Sequence, residues 1–175
     1  MHNYHQTKKT ISTEELFLKF LNVIGPIAAI LLATVPVTLA LYNRQPQKLP
    51  IGATFTKNYQ TIKLEVARSR RELALGLKFR KSIPENTGML FIVDNPEPIR
   101  LWMKDTYIPL DMIFMRDGVV NDIVNNALPC KKEPCPDYGG KLPANQIIEI
   151  PSGKTQKLGI KLGDKININY LKSPK

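Results

Sequence analysis

The run Leu110-Asp111-Met112-Ile113-Phe114-Met115-Arg116-Asp117-Gly118-Val119-Val120 carries the clearest backbone signal in the chain. Leu110–Met115 has the length and apolar content of a buried strand, and Asp-Gly between two apolar runs is a strong signal for a tight hairpin. Working outward, residues Tyr59–Ala67 alternate, with Ile62, Leu64 and Val66 facing one way and Lys63 and Glu65 the other. Met89–Val93, Ile99–Met103, Ile147–Ile150 and Ile166–Tyr170 also read as short strands. Ser69 followed by Glu72 is a capping-box pattern that opens a helix over Arg70–Leu77, ending near Gly76. Ser152-Gly153 begins a short turn or helix to Leu158, and Asn125–Pro143 reads as irregular. This pattern predicts a mainly β (α+β) domain, a small mixed β-barrel with one or two short helices, over residues 58–172. A doubly wound sheet would need repeated longer helices, which the pattern lacks.

Ahead of that domain, Val23–Tyr42 holds twenty residues without a charge. A helix of that length spans about 30 Å, the hydrocarbon thickness of a bilayer. Residues 23–42 therefore read as a transmembrane anchor and the membrane as a partner. A cleavable export signal, with Thr38-Leu39-Ala40 as the small residues, is the alternative, and a buried core helix is another. Residues 1–22 read as a polar segment with a short amphipathic helix, capped by Thr13 and carrying Leu16, Phe17, Phe20 and Leu21 on one face. Residues 43–57 have the polar and Pro/Gly content of a tether. Lys8, Lys9 and Lys19 before the span are matched by Arg44, Lys48 and Lys57 after it, so the positive-inside rule does not orient it.

Composition narrows the function classes. The 175 residues carry a formal net charge of +10, two cysteines and two histidines. Two cysteines exclude a four-Cys zinc site. His2 and His5 lie in the N-terminal segment, so the folded part has no histidine for Ser-His-Asp or Cys-His catalysis. There is no Walker loop and no G-x-G-x-x-G run. No metal site, cofactor or nucleic-acid partner is expected. Cys130 and Cys135, separated by Lys-Lys-Glu-Pro, are spaced to close a small loop. A disulfide there would place the domain outside the cytoplasm, whereas two reduced thiols would not.

The segment Arg100–Phe114 is the densest in side-chain chemistry and contains the only Trp. Asp111 stands inside an apolar strand, where an acid must be paired or hydrogen-bonded. It is either a structural tie to backbone N–H groups of the Lys104–Pro109 loop or a functional carboxylate. Trp102, Met103, Lys104, Asp105, Thr106 and Asp111 form the candidate ligand surface, with Arg80 as an anion contact. The leading expectation is a membrane-tethered, extracytoplasmic domain that binds a small molecule or a protein and does no catalysis. One alternative is a hydrolase or carbohydrate-active enzyme using Asp105 and Asp111 as its carboxylate pair. Another is an assembly or scaffold protein of a membrane complex, using the basic cluster Arg68, Arg70, Arg71, Lys78, Arg80 and Lys81.

Several fragments occur in a telling order: GLKFR (Gly76–Arg80), GMLF (Gly88–Phe91), LWMKDT (Leu101–Thr106), IPLDMIF (Ile108–Phe114), the Pro129–Pro136 cysteine segment, and IEIPSG through LGIKLGD (Ile148–Asp164). In this the chain resembles the bacterial and archaeal family called domain of unknown function 192, from about Ile62 to Tyr170. The resemblance implies a compact β-rich domain, often exported or membrane-tethered, without an established activity. Its closing Gly-x-Lys-x-Gly-Asp segment is similar to the glycine–aspartate turn of cradle-loop barrels, an analogy of fold alone. Two positions depart from the family pattern: Lys78 stands where the family usually has Met, and Asp105 where it usually has Asn.

Overall fold

The computed structural model describes residues 12–42 and 44–172, so the residues ahead of Ser12, His2 and His5 among them, lie outside the description. The chain divides into two compact units, residues 1–45 and 46–175.

Among its described residues the first unit contains one helix, α1 (Thr13–Tyr42), 30 residues long. The expected amphipathic helix and anchor are therefore one continuous element. Its cap is Ser12, not Thr13: the Ser12 Oγ accepts the Glu15 N–H at 3.2 Å. The Thr34 and Thr38 hydroxyls fold back onto the Ile30 and Val35 carbonyls, which hides their polarity. The helix is long and apolar enough to cross a bilayer. Pro26 and Pro36 both sit inside it, as membrane helices tolerate.

The second unit is built on one seven-stranded sheet. Its elements are β1 (Ile51–Lys57), β2 (Gln60–Ala67), α2 (Arg70–Leu75), β3 (Thr87–Trp102), β4 (Leu110–Arg116), β5 (Val119–Ala127), β6 (Asp137–Pro151), α3 (Lys154–Leu158) and β7 (Asn169–Tyr170). The strand order is β5-β4-β6-β3-β2-β1-β7. Only β2 and β3 pair in parallel, across the connection that contains α2; every other pair is antiparallel.

The sheet is open, which corrects the expected barrel. β5 and β7 are its two ends, and β7 has two residues that pair with β1. Gly159–Asp164 runs as turns, with Gly159 and Gly163 at positive φ, and not as an extended strand. One bridge, Val119 to Lys165, and three backbone hydrogen bonds, from Ile166 N–H to the Gly118 carbonyl, Val120 N–H to the Asp164 carbonyl and Gly163 N–H to the Val120 carbonyl, tie this stretch to the start of β5. No ladder runs from one end strand to the other.

Strand lengths also differ from expectation: the last strand is only Asn169–Tyr170 of the expected Ile166–Tyr170, whereas others are longer. β1 falls within the stretch read as a tether, and it buries Ala53 and Phe55. Met89–Val93 and Ile99–Met103 belong to one 16-residue strand, β3. Most of Asn125–Pro143 is strand: its start ends β5, and its end opens the 15-residue β6. β3 and β6 pair along most of their length with register shifts around Pro96 and Pro98, where proline supplies no ladder donor.

Both faces of the central strands are covered. On one face Leu90, Ile113, Met115, Ile148 and Ile150 pack with Leu158 and Ile166. On the other, Met89, Phe91, Met112, Phe114 and Ile147 pack with Leu77 and Met103. This explains the unbroken apolar run in β4, which is buried from Leu110 to Met115. Gly88 admits the close passage of β6, since a Cβ there would lie 2.4 Å from the Glu149 carbonyl oxygen.

Candidate functional site

The second face of the sheet is not sealed at one end. A cleft of about 250 Å³ opens between the end of α2, Phe91 and the outer part of β3, and Glu149 near the end of β6. Leu77, Phe91, Leu101 and Trp102 give it apolar walls, and Trp102 is 45% exposed at its rim. Each wall has a local cause. The Ser69–Glu72 capping box starts α2 as expected, and Gly76 ends it at positive φ, turning the chain so that Leu77 faces inward.

Two polar groups lie in this cleft without side-chain partners among the described residues. The first is Glu149, 6% exposed, whose carboxylate accepts no hydrogen bond from any described residue. Burial pushes its pKa up to about 8, against the opposing pull of the Arg80 and Lys78 charges. The second is Lys78, whose Nζ reaches the Ala74 carbonyl at 2.9 Å and lies 5.8 Å from the Trp102 ring centroid. Glu149 was not singled out from the sequence, yet it had the same signal as Asp111: an acid inside an apolar run, Ile147-Ile148-Glu149-Ile150.

Because the native state holds the Glu149 proton to higher pH than the unfolded chain does, stability is expected to fall as pH rises from about 4.5 towards about 8. Glu149→Gln should remove that decline. Urea denaturation of both forms at pH 5 and pH 8.5 measures it, and parallel pH profiles would contradict it.

The other expected site residues divide. Thr106, 4% exposed, lines the cleft with Trp102. Met103 is buried in the core at 1% exposure and does not line the cleft. Lys104 pairs with Glu133 and lies 5.5 Å from the Trp102 centroid. Asp105 acts through its backbone: its carbonyl accepts the Phe79 N–H at 2.8 Å and its N–H donates to the Cys130 carbonyl at 3.0 Å. Its φ of 61° lies in the left-handed region, where Asn and Asp are enriched, so either residue can make this turn. Arg80 is not a free anion contact. Its guanidinium grips both Glu65 oxygens, at 2.8 and 2.6 Å, and the Gln47 carbonyl at 2.7 Å.

Asp111 lies on the opposite face of the sheet and is fully buried. It is tied to backbone, but not to the Lys104–Pro109 loop: its two oxygens accept the Asn126 and Thr155 N–H groups, each at 2.9 Å. It borders an open hollow of about 670 Å³ that includes Asp122, Asn126 and Thr155 but not Asp105.

Cys130 and Cys135 form a disulfide with a Cα–Cα separation of 5.7 Å. The loop it closes braces the Trp102 segment. The Cys130 N–H donates to the Thr106 carbonyl at 3.3 Å, and the Trp102 Nε1–H donates to the Cys135 carbonyl at 3.3 Å. Opening so small a loop is expected to cost about 2 kcal/mol. A Cys130→Ser/Cys135→Ser variant should also red-shift the emission of Trp102, the only Trp. Unchanged emission would mean that the brace does not hold the ring.

The sheet domain is similar to known proteins. A family model for domain of unknown function 192 (DUF192), described as an uncharacterized ACR, matches residues 53–168. The chain belongs to the DUF192 family. Two solved structures resemble the chain. One is a protein of unknown function from Novosphingobium aromaticivorans DSM 12444, 34% identical, with a TM-score of 0.59 over 66% of this chain and 83% of that one. The other, from Sinorhizobium meliloti 1021 and described as a candidate transcription regulator, is 29% identical, with a TM-score of 0.58 over 66% of this chain and 90% of that one. No curated protein matches the chain. The DUF192 region takes in every cleft-lining residue named above.

Proposed function

We propose that this DUF192 protein is a membrane-tethered binding domain whose ligand seat is the cleft beside Trp102, held outside the cytoplasm. One observation carries the reading: Glu149, a nearly buried acid whose carboxyl hydrogen-bonds to no described residue, lines a cleft walled by a half-exposed indole. Polar groups with so little exposure are ordinarily hydrogen-bonded in native proteins, and a ligand seated in the cleft would supply the partner this carboxyl lacks. The apolar α1 supports the tether, and the disulfide supports an oxidising compartment. The carboxylate-pair reading has no comparable support, because both Asp111 oxygens already hold backbone N–H groups.

The test is to fill the cleft. Ala74 lines it from an exposed position, so Ala74→Phe blocks the seat without touching the core. Full-length protein extracted from membranes in mild detergent should carry a small molecule that Ala74→Phe lacks, at unchanged thermal stability. Recovery of a stoichiometric protein partner with both forms, and no small molecule, would instead favour the scaffold reading.

A further inference from the structure

Resting on that reading of the cleft, we propose that its ligand is a small oxyanion with an apolar body, a carboxylate or a phosphate monoester. Its charged end would sit between Lys78 and the Glu149 carboxyl, and its body against Trp102, Phe91 and Leu77. The walls set the second half of this description. At about 250 Å³ the cleft is smaller than a drug-sized pocket, and it joins an apolar part, made by Leu77, Phe91 and Trp102, to a larger polar part that holds Lys78 and Glu149.

Charge sets the first half. Arg80 is matched by Glu65, Arg100 by Asp137 at 2.6 Å, and Lys104 by Glu133. Lys78 has no carboxylate within ion-pair distance among the described residues, and its one hydrogen bond goes to a carbonyl. It is the free positive charge at the mouth. Lys78, the unmatched charge, would repel an entering cation and draw in an anion.

Glu149 does not reverse this preference. The charged groups that face it are Lys78 and Arg80 from the connection after α2. Arg100 on β3 shares the cleft. Burial outweighs the Lys78 and Arg80 charges, so the carboxyl is mostly protonated at neutral pH and offers an O–H. An ammonium and a carboxylic O–H together supply donors to two oxygens of one bound group. Ionisation of Glu149 turns that donor into a repelling charge. Anion affinity should therefore hold near neutral pH and fall as pH rises above about 8.

The experiment uses the full chain in lipid nanodiscs with hexanoate, hexyl phosphate, hexanol and hexylammonium as probes, read by Trp102 emission and calorimetry. Only binding that Ala74→Phe abolishes is counted, which removes partition into lipid. Hexanoate or hexyl phosphate is expected to bind about tenfold or more tighter than hexylammonium, and whichever of the two is tighter identifies the oxyanion. Lys78→Met should cost the anion about tenfold. Glu149→Gln should keep binding while erasing its loss above about pH 8. Hexylammonium or hexanol binding as tightly as the anions, or Lys78→Met without effect, would overturn the oxyanion assignment and leave the cleft reading standing. No probe binding in a manner sensitive to Ala74→Phe would overturn both.

Discussion

Asp111→Ala is expected to destabilise the sheet domain by about 2–6 kcal/mol, about 1–3 for each of the two buried N–H groups it leaves without an acceptor. The carboxylate is fully buried and holds two backbone donors that have no substitute. One is the Thr155 N–H in the first turn of α3, whose N-cap, Gly153, has no side chain to accept it. Asp111 therefore caps α3 from a strand 44 residues away in sequence. The other is the N–H of Asn126, a residue held at a φ of 54° where β5 departs from its ladder partner. Asp111→Asn keeps one acceptor and turns an N–H₂ towards the other donor, so about half the loss should remain. Urea unfolding of the chain in mild detergent, with the slope of the transition checked for constancy, measures both. A loss below about 1 kcal/mol for the alanine variant would mean that water satisfies these donors.

Arg80→Met should produce a loss of similar size, about 3–5 kcal/mol, because it leaves the Glu65 carboxylate buried without its partner. The Arg80 and Glu65 side chains are 10% and 12% exposed. The pair also organises the entry to β1. Arg80 holds the Gln47 carbonyl, Glu65 accepts the Leu49 N–H at 2.8 Å, and the Gln47 side chain donates to the Glu72 and Gly76 carbonyls. The double change Arg80→Met/Glu65→Leu removes the stranded charge and should recover most of the loss, since apolar replacement of a buried ion pair is often neutral. If the double variant is as unstable as the single one, the pair's value lies in the backbone clasp and not in its charge balance.

The features legible from the chain alone were those written in neighbouring residues. The capping box at Ser69 and Glu72, the reversal at Asp117-Gly118, the buried run of β4 and the closure of Cys130 on Cys135 each lie within a few positions. Trp102 and Thr106 were also within reach, because that segment is dense in unusual side chains. β1 was not, since Thr54, Thr56 and Lys57 make it polar until Ala53 and Phe55 find their places in the core. The full lengths of β3 and β6 were hidden because their prolines and glycines read as breaks. In the fold each strand carries the other across its irregularities.

The chain's own pattern determined the class of its pieces: an apolar N-terminal helix, short strands, a capped α2 and a cysteine loop. Periodicity and capping act over one or two turns of backbone, and no distant partner is needed to express them. Tertiary structure alone decided that the sheet stays open, that Asp111 serves α3 and not the Lys104–Pro109 loop, and that Glu149 meets Lys78 and Trp102 in one cleft. Each of these depends on groups brought together from separate strands and loops, and the free energy that joins them exists only once the faces of the sheet have been buried.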